Sequence, residues 1–502
     1  MSDSQYILAL DEGTTSCTAL LIDSSGQVTT KFSKEIQQIF PQPGWVEHDP
    51  LRIWQTVLDV VREVVRAKGI NFQQIASIGI TNQRETTVVW DRRSGLPVSN
   101  AIVWQCRRTA SACKLLKERG LAPFIQEKTG LVIDAYFSAS KIRWILDNIP
   151  QGQLRAERGD LLFGNIDSWL VWKLTGGKVH ITDYSNASRT MLFNIKSLKW
   201  DSELLDLFKV PQCMLPSVCP SSQIYGETQK GLLGDKSIPI GAVIGDQQSS
   251  LFGQACYNTG QSKNTYGTGC FILMNSGDKA ITSSKGLIST IAWGLNGKVA
   301  YALEGSAFVT GSAVQWLRDG LKIISSASET EAMALSVKDN GGVFFVPAFT
   351  GLGTPYWDQY ARGTMVGLTR GTTREHIVRA TLESIPFQVR DIVDTMQAET
   401  GLPISLLRVD GGGSANRFTM QFQADILNIP VQVSAVAETT ALGAAFLAGL
   451  AVGIWKDTQQ ISRKWKVAET YEPRISADQR AYLYKRWQRA VKSSLGWAED
   501  EG

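Results

Sequence analysis

The chain has 502 residues, which is more than one ordinary hydrophobic core accommodates, so two domains are expected. It is 43% hydrophobic and 20% charged, as soluble globular proteins are, and its net charge of +4 without a Lys/Arg block gives no support to nucleic-acid binding. Its three histidines, far apart in the sequence, make an imidazole metal cage hard to build, so we expect carboxylates to carry any catalysis.

The first predicted elements are two strands joined by the turn "DEGTTS" (11–16), followed by a third strand over 27–36. Residues 48–69 then predict a helix with Asp49 as N-cap, Pro50 in its first turn and Gly69 at its end. Residues 75–91 predict a buried strand that ends in polar residues, then a second strand. This alternation of strands and helices indicates an α/β fold.

Residues 165–177, "NIDSWLVWKLTGG", predict a further helix with Asp167 or Ser168 as its cap and Gly176 at its end. A similar plan then begins again near residue 240. It comprises a strand, an acidic turn and a helix (238–255), a hairpin with the tip Gly267–Gly269, and a strand, triple-glycine turn and helix (406–427). We therefore expect two related domains, 1–253 and 254–502.

The longest uncharged stretch, residues 439–455, is shorter than the ~20 residues that span a bilayer. Its Ala and Gly content predicts a buried helix close to a neighbour, so we expect no membrane insertion. Seven cysteines without a C-x-x-C pair, and the lack of a signal peptide, predict free thiols in a reducing compartment, which we take to be the cytoplasm.

Two Gly/Thr hairpin turns offer backbone N–H groups and hydroxyls to an anion. Because they occupy corresponding places in the two halves, they suggest a phosphate clamped between domains, although most such turns are only turns. The Walker A pattern G-x-x-x-x-G-K-[ST] does not occur. The three glycines 411–413 would let a flat base approach the backbone, or would simply form a tight turn.

Asp11 and Asp246 each follow an apolar strand, where ligands bind in open α/β sheets. Such carboxylates could hold Mg²⁺ or accept a proton from an attacking hydroxyl, or else only cap a turn or helix. Arg84 and Glu85 follow another strand. Adjacent residues of a regular strand point to opposite faces, but at an irregular end both could line a site and recognise the hydroxyls of a neutral polyol.

The segments "YFSASKIRWILDN" (136–148) and "GTMVGLTRGTTREHIVRATLE" (363–383) closely match two signatures of one family. On these segments the chain resembles the FGGY carbohydrate kinases, of the superfamily of actin, hexokinase and the heat-shock ATPases, from about residue 5 to 495. "ITNQRETTVVW", "KNTYGTGCF" and "PAFTGLGTPYWD" are similar to those members that phosphorylate glycerol.

The resemblance implies two actin-like ATPase domains, ribonuclease H-like in fold, around an interdomain cleft. It also implies transfer of phosphate from ATP to glycerol with Mg²⁺ and domain closure, giving sn-glycerol 3-phosphate, in a homodimer or homotetramer. The residues matching the family's glycerol contacts are Arg84, Glu85, Tyr136, Asp246 and Gln247, with Trp104 and Phe271 as apolar walls. Asp246 would be the general base.

For the nucleotide, the resemblance implies phosphate contacts and a base seat. The phosphate contacts are Thr14, Thr15, Ser16 and Thr268, and the seat is Gly311, Gln315, Gly412 and Asn416. Asp11, together with Asp246, would organise Mg²⁺.

One position departs from the family pattern, because Thr18 stands where the family usually carries arginine. Two alternatives therefore stay open: a kinase for another polyol or ketose, and a weakly active or sensor homologue. A filament-forming or chaperone-type ATPase is a third, which the paired polyol-binding residues disfavour.

Overall fold

The computed structural model describes residues 5–499, which are organised by two open sheets, one for each half of the chain. The strands of the first half are β1 Tyr6–Glu12, β2 Ser16–Asp23, β3 Val28–Glu35, β4 Glu47–His48, β5 Ile75–Asn82, β6 Val88–Asp91, β7 Ala101–Ile102, β8 Leu161–Gly164, β9 Ile181–Asp183, β10 Phe193–Asn194, β11 Lys199–Trp200, β12 Ser217–Cys219, β13 Ser222–Glu227 and β14 Pro239–Gly245. Its helices are α1 Pro50–Lys68, α2 Ala110–Glu118, α3 Ala122–Thr129, α4 Ser138–Asn148, α5 Gly152–Glu157, α6 Ile166–Leu174, α7 Tyr184–Ala187, α8 Ser202–Phe208 and α9 Asp246–Gly253.

The second half continues the same alternation. Its strands are β15 Ser262–Tyr266, β16 Cys270–Gly277, β17 Ile288–Leu295, β18 Lys298–Ala307, β19 Phe344–Val346, β20 Thr364–Val366, β21 Leu407–Asp410, β22 Val431–Ser434 and β23 Val467–Tyr471. Its helices are α10 Gly311–Asp319, α11 Glu329–Leu335, α12 Arg374–Thr400, α13 Arg417–Leu427, α14 Thr439–Ala451, α15 Thr458–Ser462 and α16 Ala477–Lys492.

The two main sheets share one plan. The first has the order β13-β14-β5-β1-β2-β3, and the second β17-β18-β16-β15-β21-β22-β23. In each, the opening hairpin (β1–β2 or β15–β16) is antiparallel, and its first strand also pairs in parallel with a later strand, β5 or β21. The α/β prediction is confirmed, and each Gly/Thr turn joins the two strands of the corresponding hairpin.

Helix α1 begins and ends where the sequence predicts. The Asp49 carboxylate accepts from the backbone N–H groups of Leu51 and Arg52, Pro50 is the first helical residue, and Gly69 closes the helix in the left-handed region at φ 70°. An L-residue with a Cβ is strained in that region, which is why glycine suits the position.

The cap predicted for α6 is wrong. Asn165, not Asp167 or Ser168, is the N-cap residue, and the helix ends at Leu174. The Asn165 amide donates to the Thr86 carbonyl, 3.1 Å away, and to the Ser138 hydroxyl, 3.0 Å away. The Asn165 side chain therefore makes no capping hydrogen bond and serves tertiary contacts, which the local pattern "NIDS" does not reveal.

Helix α14 belongs to the second half in sequence but packs against the sheet of the first half, which confirms the close approach predicted from its Ala and Gly content. A Cβ on Gly79 of β5 would lie 2.3 Å from the Ala444 carbonyl oxygen, and a Cβ on Gly443 would lie 1.9 Å from that of Ser249 in α9. Its apolar face shares one core with Ile7, Ala9 and other residues of the first sheet. Across residues 5–499, no helix is long and apolar enough to cross a membrane.

Candidate functional site

The site is built around an irregular segment, residues 83–87, that follows β5. Glu85 adopts φ 60°, a left-handed conformation that few non-glycine residues occupy. Its carbonyl oxygen accepts from the Ser138 hydroxyl and the Lys141 ammonium group, both at 3.3 Å. The turn directs the side chains of both Arg84 and Glu85 into one buried cluster. The strand end is therefore irregular, which lets two adjacent residues share a site.

Arg84 is 3% exposed, and each of its three guanidinium nitrogens contacts another side chain. Its Nε lies 3.1 Å from Asp246 Oδ1, and Nη1 donates to Glu304 Oε2 at 2.5 Å and to Gln248 Oε1 at 3.2 Å. Nη2 donates to the Tyr136 hydroxyl and to Glu304 Oε1, both at 3.3 Å. Four hydrogen bonds from the two terminal nitrogens and an ion pair at Nε therefore hold the guanidinium in place.

Glu85 is held by an arginine that sequence reasoning missed. Arg189 Nε donates to Glu85 Oε1 at 2.5 Å, and Arg189 Nη2 donates to Glu304 Oε1 at 2.9 Å. The other oxygen of Glu85, Oε2, accepts no hydrogen bond from the described residues. The two arginines hold the pKa of Glu304 down at about 2, although its burial acts in the opposite direction.

An aromatic wall lies beside this cluster. The rings of Trp104 and Tyr136 are 5.4 Å apart, and those of Trp104 and Phe271 are 6.3 Å apart, in both cases edge to face. The Trp104 indole N–H donates to the Thr14 hydroxyl at 2.8 Å. The structure therefore brings together the predicted walls, Tyr136 and the first Gly/Thr hairpin.

Asp246 and Gln247 are the first two residues of α9. Gly245 is the N-cap, and Asp246 Oδ1 accepts from the Gln247 backbone N–H at 2.7 Å while it also faces Arg84. The amide oxygen of Gln247 accepts from Lys263 Nζ at 2.6 Å, which directs its NH₂ group away from the lysine. Lys263 is fully buried, and burial lowers its pKa to about 8.

Asp11 is the penultimate residue of β1, close enough to Asp246 for the two charges to interact. Burial, followed by the negative charges of Asp246 and Glu438, raises its pKa to about 7. A buried carboxylate whose ionised form is disfavoured by a neighbouring carboxylate charge is a donor suited to Mg²⁺, because the cation would offset that charge. Within residues 5–499 no group of three or more His, Cys, Asp or Glu side chains is arranged to hold a metal, so an ion here would also need water or phosphate oxygens.

Two segments predicted to seat the base, the start of α10 and the triple-glycine turn, adjoin the second hairpin. Gly311 N donates to the Gly267 carbonyl at 3.1 Å, which places the start of α10 against the turn that carries Thr268. A Cβ on Gly411 would lie 2.5 Å from the Tyr266 carbonyl, so the triple-glycine turn also abuts this hairpin, whereas Gly412 faces open space. Gln315 is exposed one turn along α10, and Asn416 caps α13 by accepting from Thr419 N at 2.9 Å. Thr15 and Ser16 lie in the first hairpin, where Gly13 N donates to the Ser16 carbonyl at 2.9 Å.

Four polar residues of this site were not singled out from the sequence: Arg189, Gln248, Lys263 and Glu304. A usable signal existed for Glu304, which interrupts the apolar strand "YALEGSA". A carboxylate inside such a strand must be paired if it is buried. Arg189 stands among small polar residues and carries no comparable local signal.

The chain is similar over nearly its whole length to known proteins. Residues 6–253 match the N-terminal domain, and residues 262–452 the C-terminal domain, of the FGGY family of carbohydrate kinases. Glycerol kinase 2 of Thermotoga maritima is 60% identical over 493 residues, which cover 98% of this chain and 99% of that protein. Glycerol kinase of Caldanaerobacter subterraneus subsp. tengcongensis is 58% identical over 497 residues, covering 99% of this chain and 100% of that protein.

Among solved structures, Plasmodium falciparum glycerol kinase with ADP superposes with a TM-score of 0.93 at 37% identity, over 98% of both chains. The two-sheet fold described above is therefore that of a known kinase.

Proposed function

The chain belongs to the FGGY family of carbohydrate kinases, and on that premise we propose that it phosphorylates glycerol with ATP to give sn-glycerol 3-phosphate. The observation that carries the proposal is the buried cluster of Arg84, Glu85, Tyr136 and Asp246 beside the aromatic wall. Donors and acceptors alternate there within a few ångströms, next to apolar rings, as a small molecule with adjacent hydroxyls and a short carbon chain requires.

In the proposed reaction, Asp246 takes the proton of the glycerol hydroxyl as its oxygen bonds to the γ-phosphorus. The bond from that phosphorus to the bridging oxygen breaks, and ADP leaves. Such transfers depend on positioning and charge neutralisation rather than on covalent help from the protein. The Arg84 guanidinium 3.1 Å from Asp246 fixes the direction in which the carboxylate can accept.

We assign the phosphate contacts to Thr14, Thr15, Ser16 and Thr268, and the base seat to Gly311, Gln315, Gly412 and Asn416. In support, the second hairpin, the start of α10 and the triple-glycine turn adjoin one another. Asp11 and Asp246 would hold Mg²⁺, which when bound neutralises phosphate charge. Trp104, whose indole N–H donates a hydrogen bond to Thr14, would contact both the polyol and the phosphate parts of the cleft.

Water competes with glycerol for the γ-phosphoryl group, so we infer that the two halves close before transfer to limit hydrolysis. We also place the enzyme in the cytoplasm as a homodimer or homotetramer. All seven cysteines are free, which fits a reducing compartment. Sedimentation of the purified protein measures the oligomeric state.

The deciding experiment measures ADP release with Mg²⁺-ATP in the presence and absence of glycerol, for the wild type and for Asp246→Asn. We expect glycerol-dependent release in the wild type and its loss in the variant, with ATP binding retained in both. ATP binding without any stimulation by glycerol would contradict the proposal, and a pentulose and polyol panel would then identify the substrate. Turnover that persists in Asp246→Asn would remove only the assignment of the base.

A further inference from the structure

Glu304 is a carboxylate from the sheet of the second half that lies beneath the polyol-binding pair of the first half. It is fully buried on β18, and its two oxygens accept from Arg84 Nη1 at 2.5 Å and from Arg189 Nη2 at 2.9 Å. Both guanidinium groups therefore meet at one acid. The site is complete only when the strand from the second half is in place.

The charges of the cluster nearly cancel. Two arginines, Arg84 and Arg189, and the nearby ammonium group of Lys263 balance three carboxylates, those of Glu85, Asp246 and Glu304. All of them except Asp246 are at most 3% exposed. Charges in so dry a site interact far more strongly than in water, so a single added charge has a large effect on binding.

We propose that Glu304 is a specificity-determining residue, which makes the site select uncharged polyols by occupying the guanidinium of Arg84, and that Arg189 is a positioning residue for Glu85. This inference rests on the proposed function, because it concerns how the same site chooses among substrates. A substrate carboxylate would find Arg84 already paired and would meet Glu85 and Asp246 as like charges.

The role of Arg189 follows from the geometry of its fork. Its Nε holds Glu85 Oε1 and its Nη2 holds Glu304 Oε1, which leaves Glu85 Oε2 for a substrate hydroxyl. Lysine keeps the charge but cannot make the two directed contacts at once. Charge and orientation can therefore be separated by substitution.

The test uses D-glycerate, in which a carboxylate replaces one CH₂OH group of glycerol, as a competitive inhibitor of glycerol phosphorylation. The measured quantity is the ratio of the glycerate Ki to the glycerol KM. In Glu304→Gln, which keeps the shape but removes the charge, we expect this ratio to fall by about tenfold or more, since a charged donor becomes available to the anion. The KM for ATP should stay unchanged.

Two variants serve as controls. Arg189→Lys should raise the glycerol KM and leave the glycerate ratio unchanged, because it alters orientation and not charge. Asp391→Asn removes another buried carboxylate of the second half, one on α12 that accepts from Tyr356, Tyr484 and Trp487 and from none of the site residues named above. It should lower thermal stability without changing either kinetic quantity.

An unchanged glycerate ratio in folded, active Glu304→Gln overturns the inference while leaving the proposed function intact. Wild-type protein without glycerol turnover overturns both. If Glu304→Gln does not fold, Arg189→Lys and Arg189→Gln are compared instead. The ratio should be larger for the uncharged glutamine than for lysine, and equal ratios contradict the proposal.

Discussion

Thr18 lies on β2 directly opposite Asp11 in the antiparallel register, so the two side chains share one face of the hairpin. Its hydroxyl is 2.8 Å from that of Ser33 on the neighbouring strand. The position therefore faces the proposed phosphate site from close range but offers it no charge. An arginine, the usual family residue, would extend a guanidinium toward that anion.

We expect Thr18→Arg to raise the rate at saturating glycerol. A hydrogen bond to a charged partner contributes roughly 1.5–3 kcal/mol, which corresponds to an increase in rate of about 10- to 150-fold at most. Steady-state kcat with Mg²⁺-ATP measures it. Thr18→Gln supplies length without charge and should not reproduce the gain, and an unchanged or lower rate in Thr18→Arg would show that the arginine is not needed here.

Individual site residues were predictable from sequence where a local signal marked them. Arg84 and Glu85 follow a buried strand, and Asp246 follows another. The apolar run before each of them therefore indicates a strand end. Glu304 and Arg189 are different, because their partners lie more than 100 residues away along the chain. Only the packing of β18 beneath residues 83–87 brings these charges together.

At the scale of elements, the crossing of α9 and α14 depends on the absence of side chains. A Cβ on Gly443 would stand 1.9 Å from the Ser249 carbonyl oxygen, and one on Gly253 would stand 2.0 Å from the Thr439 carbonyl oxygen. Each helix thus lies directly on the backbone of the other. Since a backbone carbonyl cannot rotate away as a flexible side chain can, the helices must separate to admit a methyl group.

Overpacking a core usually costs about 1–3 kcal/mol, and contact with a backbone carbonyl places Gly443→Ala at the upper end of that range. After the gain of about 1 kcal/mol in helix propensity that alanine brings, the variant should lower the free energy of unfolding by up to about 2 kcal/mol. Urea denaturation measures the difference. Gly371→Ala is the matched control, because Gly371 is exposed, has no positive φ and meets only one atom, 3.9 Å away. Equal stabilities of the two variants would contradict this account of the crossing.

Local patterns predicted the existence of most elements considered but not always their partners. The caps of α1 and the small residues of α14 can be recognised within a few residues of sequence. Nothing in residues 439–451 indicates that α14 covers the sheet of the other half. The cap of α6 was mistaken for the same reason, since the Asn165 side chain contacts Thr86 and Ser138 and makes no capping hydrogen bond.

At the scale of the whole molecule, the two halves share their interiors. One core combines Ile7, Ala9 and Ile244 of the first sheet with Leu447 and other residues of α14. An ion pair between Lys31 and Glu438 joins the halves at the surface. The halves are therefore not independent cores linked by a hinge alone.

We expect residues 1–253 expressed alone not to fold cooperatively, because the sheet face that α14 covers would be exposed to water. The fragment should bind a hydrophobic dye and show a broad urea transition, as compact states without fixed packing do. The full-length chain in the same assay is the control. A sharp two-state transition of the fragment would show that the first half completes its core unaided.

The position of α14 has a consequence for synthesis of the chain. The last strand of the first sheet ends at Gly245, and the helix that covers this sheet begins at Thr439. Translation at ~5–20 residues per second delivers the intervening ~190 residues over roughly 10–40 s. Throughout that interval the apolar residues that α14 will cover have no partner, so we expect chaperone binding to be strongest before residue 439 emerges and to fall soon after.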